Sequence, residues 1–513
     1  YGGDKFYRGY GGGNSTDWTD YWLLRKRSRE LFQQTSYGRG LIGCWVTNII
    51  NVGLGLESTP IESLLPGQDQ DALDKWSDNV EALWETYITR ADLIDWKGER
   101  KLGQLQAQEE LECMIAGDGL TVERIHPVTK LPNWQFIPGE NIKTPFEVPD
   151  LPAGQEIVEG VVIDSRRRHV AYYIEKDDGK FERIPAFGSK SGRRIAKMIY
   201  GIDRCTNDVR GMPLLAVALQ SIKNIDRYRD SAQLKAYLNS LLAIFIKKGE
   251  PGVGSLPFEH AAVSHDTVTS GGDTPSGTEK KFKTSDYVPG IIMNELAHGE
   301  EPVGFHNQGV DEKLAEFEEG IMATVAWGMR MPFNVVRMAF TRNYSASQAE
   351  LNEYNMEIAR VRAERADERL IPKFQSWLIQ MVRIRRIDAP GFLESVDDPN
   401  QFDIFGGWTS VQVTGAVKPT TDLMKTVNAY EKMVANSWLT DTQAARALNN
   451  SKFSKNVKTR VREEEAKAKV DQVRIDQQVD QQKQIQGVTD TVNAMLAEFS
   501  DLKELLIEQG DRS

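Results

Sequence analysis

The residues of this chain that could do chemistry are few and poorly placed for it. In "GGDTPSGTEK" (271–280), Gly272 and Gly277 have the spacing of a phosphate-cradling loop, whose backbone amides hold the anion while a lysine reaches its outer phosphates. Thr278 stands where that lysine belongs, and a Gly/Ser/Thr/Pro cluster reads as a loop. His260 and His265 have only Glu259 and Asp266 nearby, too few donors for a metal site. Cys44, Cys113 and Cys205 lie far apart, form no C-x-x-C and leave an odd thiol over, so neither a disulfide nor structural zinc is expected. There is no G-x-S-x-G, no H-E-x-x-H and no Cys/His pairing close in sequence. The expectation is no catalytic residue, no metal ligand and no cofactor. Asn14-Ser15-Thr16 and Asn343-Tyr344-Ser345 fit the glycosylation triplet, but no secretory signal pattern accompanies them and modification is not expected.

What remains is charge arranged along the chain. Residues 311–327, "DEKLAEFEEGIMATVAW", carry Asp311, Glu312, Glu316, Glu318 and Glu319, with apolar Leu314, Phe317 and Ile321 on one helical face. After Gly328, residues 329–344 hold Arg330, Arg337 and Arg342, no acid, and Pro332, a basic apolar loop. Two overlapping S-x-x-E/Q boxes follow, Ser345 with Gln348 and Ser347 with Glu350, in which a hydroxyl accepts from an N-terminal amide and the later side chain reaches back. They predict a firmly capped helix start, continued by the apolar stripe Leu351, Tyr354, Ile358 and Val361. Pro372 then kinks this helix or begins the next.

These segments need positioning elements. Of 513 residues, 40% are apolar and 27% charged, which fits a soluble globular protein of three or more compact parts. No run of about 18 apolar residues suggests a membrane span. The net charge of −11 argues against a protein that coats itself in nucleic acid. Residues 1–212 alternate short apolar runs with turn signals. In 159–186, Val161–Ile163, Val170–Tyr173 and Phe181–Ile184 read as strands around the turn "KDDGK", so this part is mixed α/β. A helix is predicted from Pro213 to Ile246, with Leu215, Ala218, Ile222, Ile225, Ala232 and Ala236 inward. A Gly-, Pro- and polar-rich excursion runs to Gly309, with strand pieces at Phe282 and 290–294. Near the C-terminus Ile485, Val488, Val492, Met495, Phe499, Leu502 and Leu506 alternate by three and four over three heptads, a short coiled coil.

The stretch "WGMRMPFNVVRMAFTRNYSASQAELNEYN" (327–355) resembles the lambda-like tailed-phage portal proteins, with their apolar helix, Gly, loop and YS-containing capped segment. "YRGYGGG" (7–13), "RSRELFQQTSYGRGLIGCWVTNIINVGLGLE" (27–57) and "RCTNDVRGMPLLAVALQSIKNIDRYRDSAQLKA" (204–236) are similar to further family segments. Arg210-Gly211-Met212-Pro213 carries the last of these, while Asp208 and Val209 depart from it.

The resemblance implies a portal fold of the mixed α+β class. It would comprise a wing (1–212), stem helices (213–246 and 311–328), an inserted clip (247–310), a tunnel loop (329–344), a long helix with the wing/crown base (345–420) and a helical crown (421–513). It implies a ring, usually of twelve copies, at one capsid vertex of the virion, assembled in the host cytoplasm, through which double-stranded DNA is packaged and ejected. The implied partners are further copies of the chain, DNA held without sequence preference, the terminase packaging motor, a head-completion or tail adaptor protein and the major capsid protein, with no membrane. The acids of 311–319 would then line the stem and keep DNA off the wall, while Arg330, Arg337 and Arg342 touch it transiently, since tight phosphate contacts would impede sliding. In a ring the C-terminal helices could form a barrel; alternatively each packs on its own subunit or stays disordered. A filament- or scaffold-forming virion protein joined through this coil is the other reading. It explains 485–506 but not the order of helix, insertion, helix, basic loop and capped helix.

Overall fold

A computed structural model describes residues 21–510 apart from 148–149, 202–203, 205, 207, 242–244, 249–299, 304–313, 338–343 and 416–422. Residues up to Val413 form one compact unit and residues from Thr414 a second.

The first unit begins with helices α1 (Tyr21–Gln34) and α2 (Ser36–Ile49), separated by Thr35, whose hydroxyl caps α2 by accepting from Gly38 N at 3.0 Å. Strand β1 (Gly55–Ser58) leads to α3 (Gln70–Ile88), which buries Leu73, Ser77, Val80, Trp84 and Tyr87 at alternating four- and three-residue spacing. The one-turn α4 (Ala91–Ile94) and the central α5 (Leu102–Ala116) follow. Trp84 meets Phe374 and Trp377 edge-on, with ring centroids 5.4 and 5.1 Å apart, at the middle of the largest apolar core.

Strands β2 (Asp118–Ile125), β3 (Pro132–Pro138) and β8 (Ala196–Tyr200) form an antiparallel sheet with β2 in the middle. Strands β4 (Glu156–Val158), β5 (Val161–Ile163), β6 (His169–Glu175) and β7 (Phe181–Pro185) make an antiparallel meander. The three strands read from 159–186 are β5 to β7. The turn between the last two closes with Lys176 N donating to Lys180 O at 2.9 Å, and Gly179 takes a φ of +74°.

Helix α6 (Leu219–Leu241) buries Ile222 and Ile225, with Leu215 and Ala218 just before it, as the sequence periodicity indicated. It stops short of the predicted Ile246, because β9 (Phe245–Lys248) begins there and pairs antiparallel with β10 (Glu300–Val303), from Glu300↔Lys248 to Val303↔Phe245. The pairing across the excursion outweighs a helical pattern extrapolated from one side. The strand pieces expected at Phe282 and 290–294 lie outside the described residues.

Helices α7 (Leu314–Gly328), α8 (Phe333–Arg337) and α9 (Tyr344–Arg365) come next, and α9 runs through a π-helical turn, Ala366–Leu370, into α10 (Ile371–Arg383). Pro372 stands in the first turn of α10, just past the π-helical turn, as the second of its two readings had it. Its ring would crowd the carbonyl four residues back and it offers no amide, so the helix widens by a residue. The carbonyl thus left over, Glu368 O, accepts from Lys197 Nζ at 3.1 Å. Short helices α11 (Phe392–Asp397) and α12 (Phe402–Thr409) and strand β11 (Val411–Thr414), paired with β1, close the unit.

The second unit holds α13 (Leu423–Ala435), α14 (Asp441–Asn449) and α15 (Phe453–Gly510). A capping box starts α14: Gln443 N donates to Thr440 Oγ1 at 3.2 Å and Thr440 N donates to Gln443 Oε1 at 3.0 Å. Among the described residues, no helix is long and apolar enough to cross a membrane.

Candidate functional site

Helices α6 and α7 run antiparallel. A Cβ at Gly328 would lie 3.8 Å from Val217 Cγ2 near one end, while Tyr228 and Phe317 meet further along at a 45° tilt, ring centroids 4.6 Å apart. Arg229 forks onto Glu318, with Nη2 donating to Oε2 at 2.8 Å, and also lies over the Tyr37 ring of α2 at 5.0 Å. The hydrogen bond to Glu318 holds the Arg229 guanidinium above its ordinary pKa. The inward face of α7 is Met322, Val325 and Ala326. The sequence stripe Leu314, Phe317, Ile321 was rotated from it by about one residue: Ile321 is half-buried and Phe317 is 43% exposed, while the Leu314 side chain lies outside the described residues.

Of the acids named from sequence, Asp311 and Glu312 lie outside the described residues. Glu316 is exposed, but Glu318 pairs with Arg229 and Glu319 with Arg337. An uncompensated acidic row over 316–319 is therefore not what this unit presents, because arginines from α6 and α8 fold back on two of the three.

The basic segment also differs from a plain loop. Met329 and Met331 are buried, α8 interrupts it, and Asn334 is buried with its amide donating to Glu350. Arg330 takes a left-handed φ of +55° between the two methionines and reaches Glu357 of α9, Nη1 to Oε1 3.2 Å. Arg360, first, and then Arg330 lower the pKa of Glu357 by hydrogen bonding. Arg342 lies outside the described residues. The mobile segment expected from its Pro and charge content is anchored at Arg330 and Arg337 because Met329, Met331 and Asn334 find buried places.

Helix α9 starts at Tyr344, ahead of both serines, so Ser345 and Ser347 stand in its first turn and are not N-caps. Glu350, expected to reach back to Ser347, accepts from Asn334. The side chains of Ser345, Ser347 and Gln348 lie outside the described residues. The stripe beyond is as read, with Tyr354, Ile358 and Val361 buried.

The Arg-Gly-Met-Pro motif has a structural explanation. Asp118, at the start of β2, is fully buried and receives Arg210 Nε at 2.8 Å, Arg210 Nη2 at 2.9 Å, Gly211 N at 2.8 Å and Tyr21 OH at 3.4 Å, with Arg25 Nη2 at 2.5 Å. Burial alone would raise its pKa, but Arg210 and Arg25 outweigh that and hold it well below the carboxylate range. Arg210 also donates to the carbonyls of Gly139, Ile142 and Glu159. A Cβ on Gly211 would sit 2.1 Å from Gly117 O, and Gly117 itself has a φ of +93°, so two backbones touch where only glycine fits.

A second buried set joins α5 to the π turn. Glu110 Oε2 accepts from Arg365 Nε and Arg369 Nη1, both at 2.7 Å, and Glu109 accepts from Lys373 Nζ at 2.7 and 2.9 Å. Burial opposes the charge on Glu110, yet the two arginines keep its pKa lowered. Sequence reading missed Asp118, Glu109 and Glu110. Their partners lie far along the chain, and an acid in a helix reads as solvated.

In the second unit, α15 contains the whole heptad run. Ile485, Val488, Val492, Met495 and Phe499 are exposed, between 49% and 74%, and the side chains of Leu502 and Leu506 lie outside the described residues. The polar segment 471–484 is part of the same helix. Cys44 and Cys113 are free thiols; Cys205, His260, His265 and 271–280 lie outside the described residues.

Residues 5–362 match the sequence family described as "Phage portal protein, lambda family". Among solved structures, the chain is similar to one described as the neck of a native GTA particle computed with C12 symmetry, at 13% identity over 86% of this chain and 97% of that chain, TM-score 0.40. It is also similar to an HK97-family phage portal protein from Corynebacterium diphtheriae, at 13% identity over 70% of this chain and 93% of that one, TM-score 0.29. No match was found among curated proteins.

Proposed function

This chain belongs to the lambda family of phage portal proteins and is a head-tail connector, and we propose that it acts as a closed ring at one capsid vertex, passing double-stranded DNA along the channel bounded by α6 and α7. The observation that carries this reading is the arrangement around that antiparallel pair. The excursion is rooted on β9–β10 beyond one end, and the Arg330–Arg337 segment sits at the other.

Surface left uncovered on the pair supports assembly. Trp327 is 85% exposed, with Val217, Leu234 and Tyr237 near 60%. Exposed apolar side chains at both ends of the pair are surface that neighbouring copies would cover. A head-to-tail interface covers them on every copy once its rotation closes the ring, and twelve copies is the proposed number. The exposed heptad face of α15 fits the same reading, as a bundle of C-terminal helices from neighbouring copies.

In this mechanism the protein performs no catalytic step. Arg330 and Arg337, held through Glu357 and Glu319, exchange those partners for passing phosphates, and Arg342 adds a third contact. Exposed pairs of this kind are worth at most about 1 kcal/mol, so the exchange is nearly balanced and DNA is not gripped. Segments 1–212, 213–246, 247–310, 311–328, 329–344, 345–420 and 421–513 are then wing, first stem helix, clip, second stem helix, tunnel segment, wing/crown base and crown. The excursion meets the packaging motor and later the tail adaptor, and the wing faces the capsid protein. The test is the triple variant Arg330→Gln, Arg337→Gln, Arg342→Gln in assembled particles. Rings of normal mass with altered packaged DNA length are expected. Normal DNA content would remove these arginines from DNA handling.

A further inference from the structure

A cavity of about 810 Å³ opens in the first unit beside β6 and β8, away from the α6–α7 pair, with lysine and arginine outnumbering acids in its lining by seven to three. Its volume is that of a small-ligand site. His169, at the start of β6, lines it and is only 7% exposed. The ring nitrogen Nδ1 lies 3.3 Å from Tyr172 OH, and that hydroxyl already accepts from Met198 N at 3.4 Å. If the tyrosine donates to His169 Nδ1, the imidazole hydrogen stands on Nε2; if Nδ1 donates to the hydroxyl, Nε2 is a bare acceptor. That Nε2 is buried and has no hydrogen-bond partner. In either case Nε2 is unsatisfied and closed to solvent, while the rest of the His169 residue contributes to the cavity wall.

Of the cations around it, Arg168 pairs with Asp164, Arg360 with Glu357 and Glu364, and Arg365 with Glu110, while Arg204 and Arg194 are placed differently. Arg204 stacks on Tyr200 at 4.1 Å and uses Nε on Asp208 O, and Arg194 lies over Phe187 at 5.1 Å. Among the described residues neither is in an ion pair with a carboxylate. Lys197 is held by the Glu368 carbonyl that Pro372 leaves free. Of the lining acids, Glu364 pairs with Arg360 and Glu368 with Arg365 and Arg369, so Asp367 is the remaining one. Burial, and then Arg204 and Arg194, push the His169 pKa down to about 3, consistent with a neutral ring among positive charges.

We propose that this cavity binds a phosphate group, with Arg194, Arg204 and Lys197 as its cationic contacts beside the His169 residue. Every group offered is a donor, which suits an oxyanion that only accepts. The phosphate comes either from a small phosphate compound or from a nucleic-acid backbone, and both are the same chemistry at this site.

The full chain is titrated by calorimetry with inorganic pyrophosphate and, separately, with a 12-base-pair DNA duplex at fixed salt. Pyrophosphate is expected to bind the wild type and to shift the His169 ring signals. The Arg194→Ala/Arg204→Ala double variant should weaken that binding at least tenfold with an unchanged melting curve. If the double variant melts early, Lys197→Met supplies the same readout. Competition by the duplex assigns the phosphate to nucleic acid; its absence assigns it to a small compound. No pyrophosphate binding to the wild type, or equal binding by wild type and the folded variants, overturns the proposal. So does binding that is lost when rings assemble, which would make the cavity part of the contact between copies.

Discussion

Arg210 and Asp118 meet through two nitrogens and both carboxylate oxygens, at 2.8 and 2.9 Å, inside a region closed to solvent. The pair fastens the chain entering α6 to the first residue of β2, and Arg25 brings α1 to the same carboxylate. Asp118→Ala leaves two buried guanidinium groups uncompensated, and is expected to lower unfolding free energy by about 3–5 kcal/mol. Denaturant titration of the purified chain checks this. Gly211→Ala is expected to destabilise as well, since its Cβ would collide with the Gly117 carbonyl.

His169 predicts how stability responds to acid. Its pKa is 6.5 when free and about 3 when folded, so between those values the unfolded chain takes up a proton that the folded one refuses. Stability contributed by His169 is complete above about pH 6.5, falls as pH is lowered through that value, and is fully lost near pH 3. At pH 5 the loss is up to about 2 kcal/mol. The carboxylates of Asp118 and Glu110 stay ionised there, both being lowered. Comparing unfolding midpoints from pH 7 to 5 should show a shallower slope in His169→Gln.

Arg337→Ala should barely alter stability. Its partnership with Glu319 is half-exposed, with side-chain exposures of 50% and 43%, and such pairs contribute about 1 kcal/mol or less. A thermal midpoint moved by more than a few degrees would mean that α8 depends on this pair for its position.

Val492→Asp with Phe499→Asp places two charges on the exposed heptad face of α15. Helix content of the isolated chain should stay the same, because neither side chain is buried, while ring yield in sedimentation should fall. Unchanged rings would leave this face with no part in assembly.

Much of the local structure was legible because it rests on short-range periodicity. Ile222 and Ile225 face inward, and the β5–β7 meander follows apolar runs split by a Gly turn. The α7 face was misjudged because an apolar-rich helix offers several stripes at three- and four-residue spacing, and contact with α6 and α2 selects Met322 and Val325. The serine boxes marked a helix start that lies a little further on than Tyr344, where the helix begins, and the contact of Glu350 with Asn334, sixteen residues away, had no local signal. Arg210 stood out through its motif, yet its role depends on Asp118, ninety-two residues distant, which nothing local marks.

The β9–β10 ladder has a consequence for how such a protein can vary. It pairs Phe245 with Val303 and Lys248 with Glu300, so the chain leaves and re-enters the framework at neighbouring points. Length added between 248 and 300 costs the framework little, since closing a longer segment costs only about 0.6 kcal/mol per doubling of its length. The segment can therefore be lengthened or exchanged while the helices that the ladder joins keep their packing.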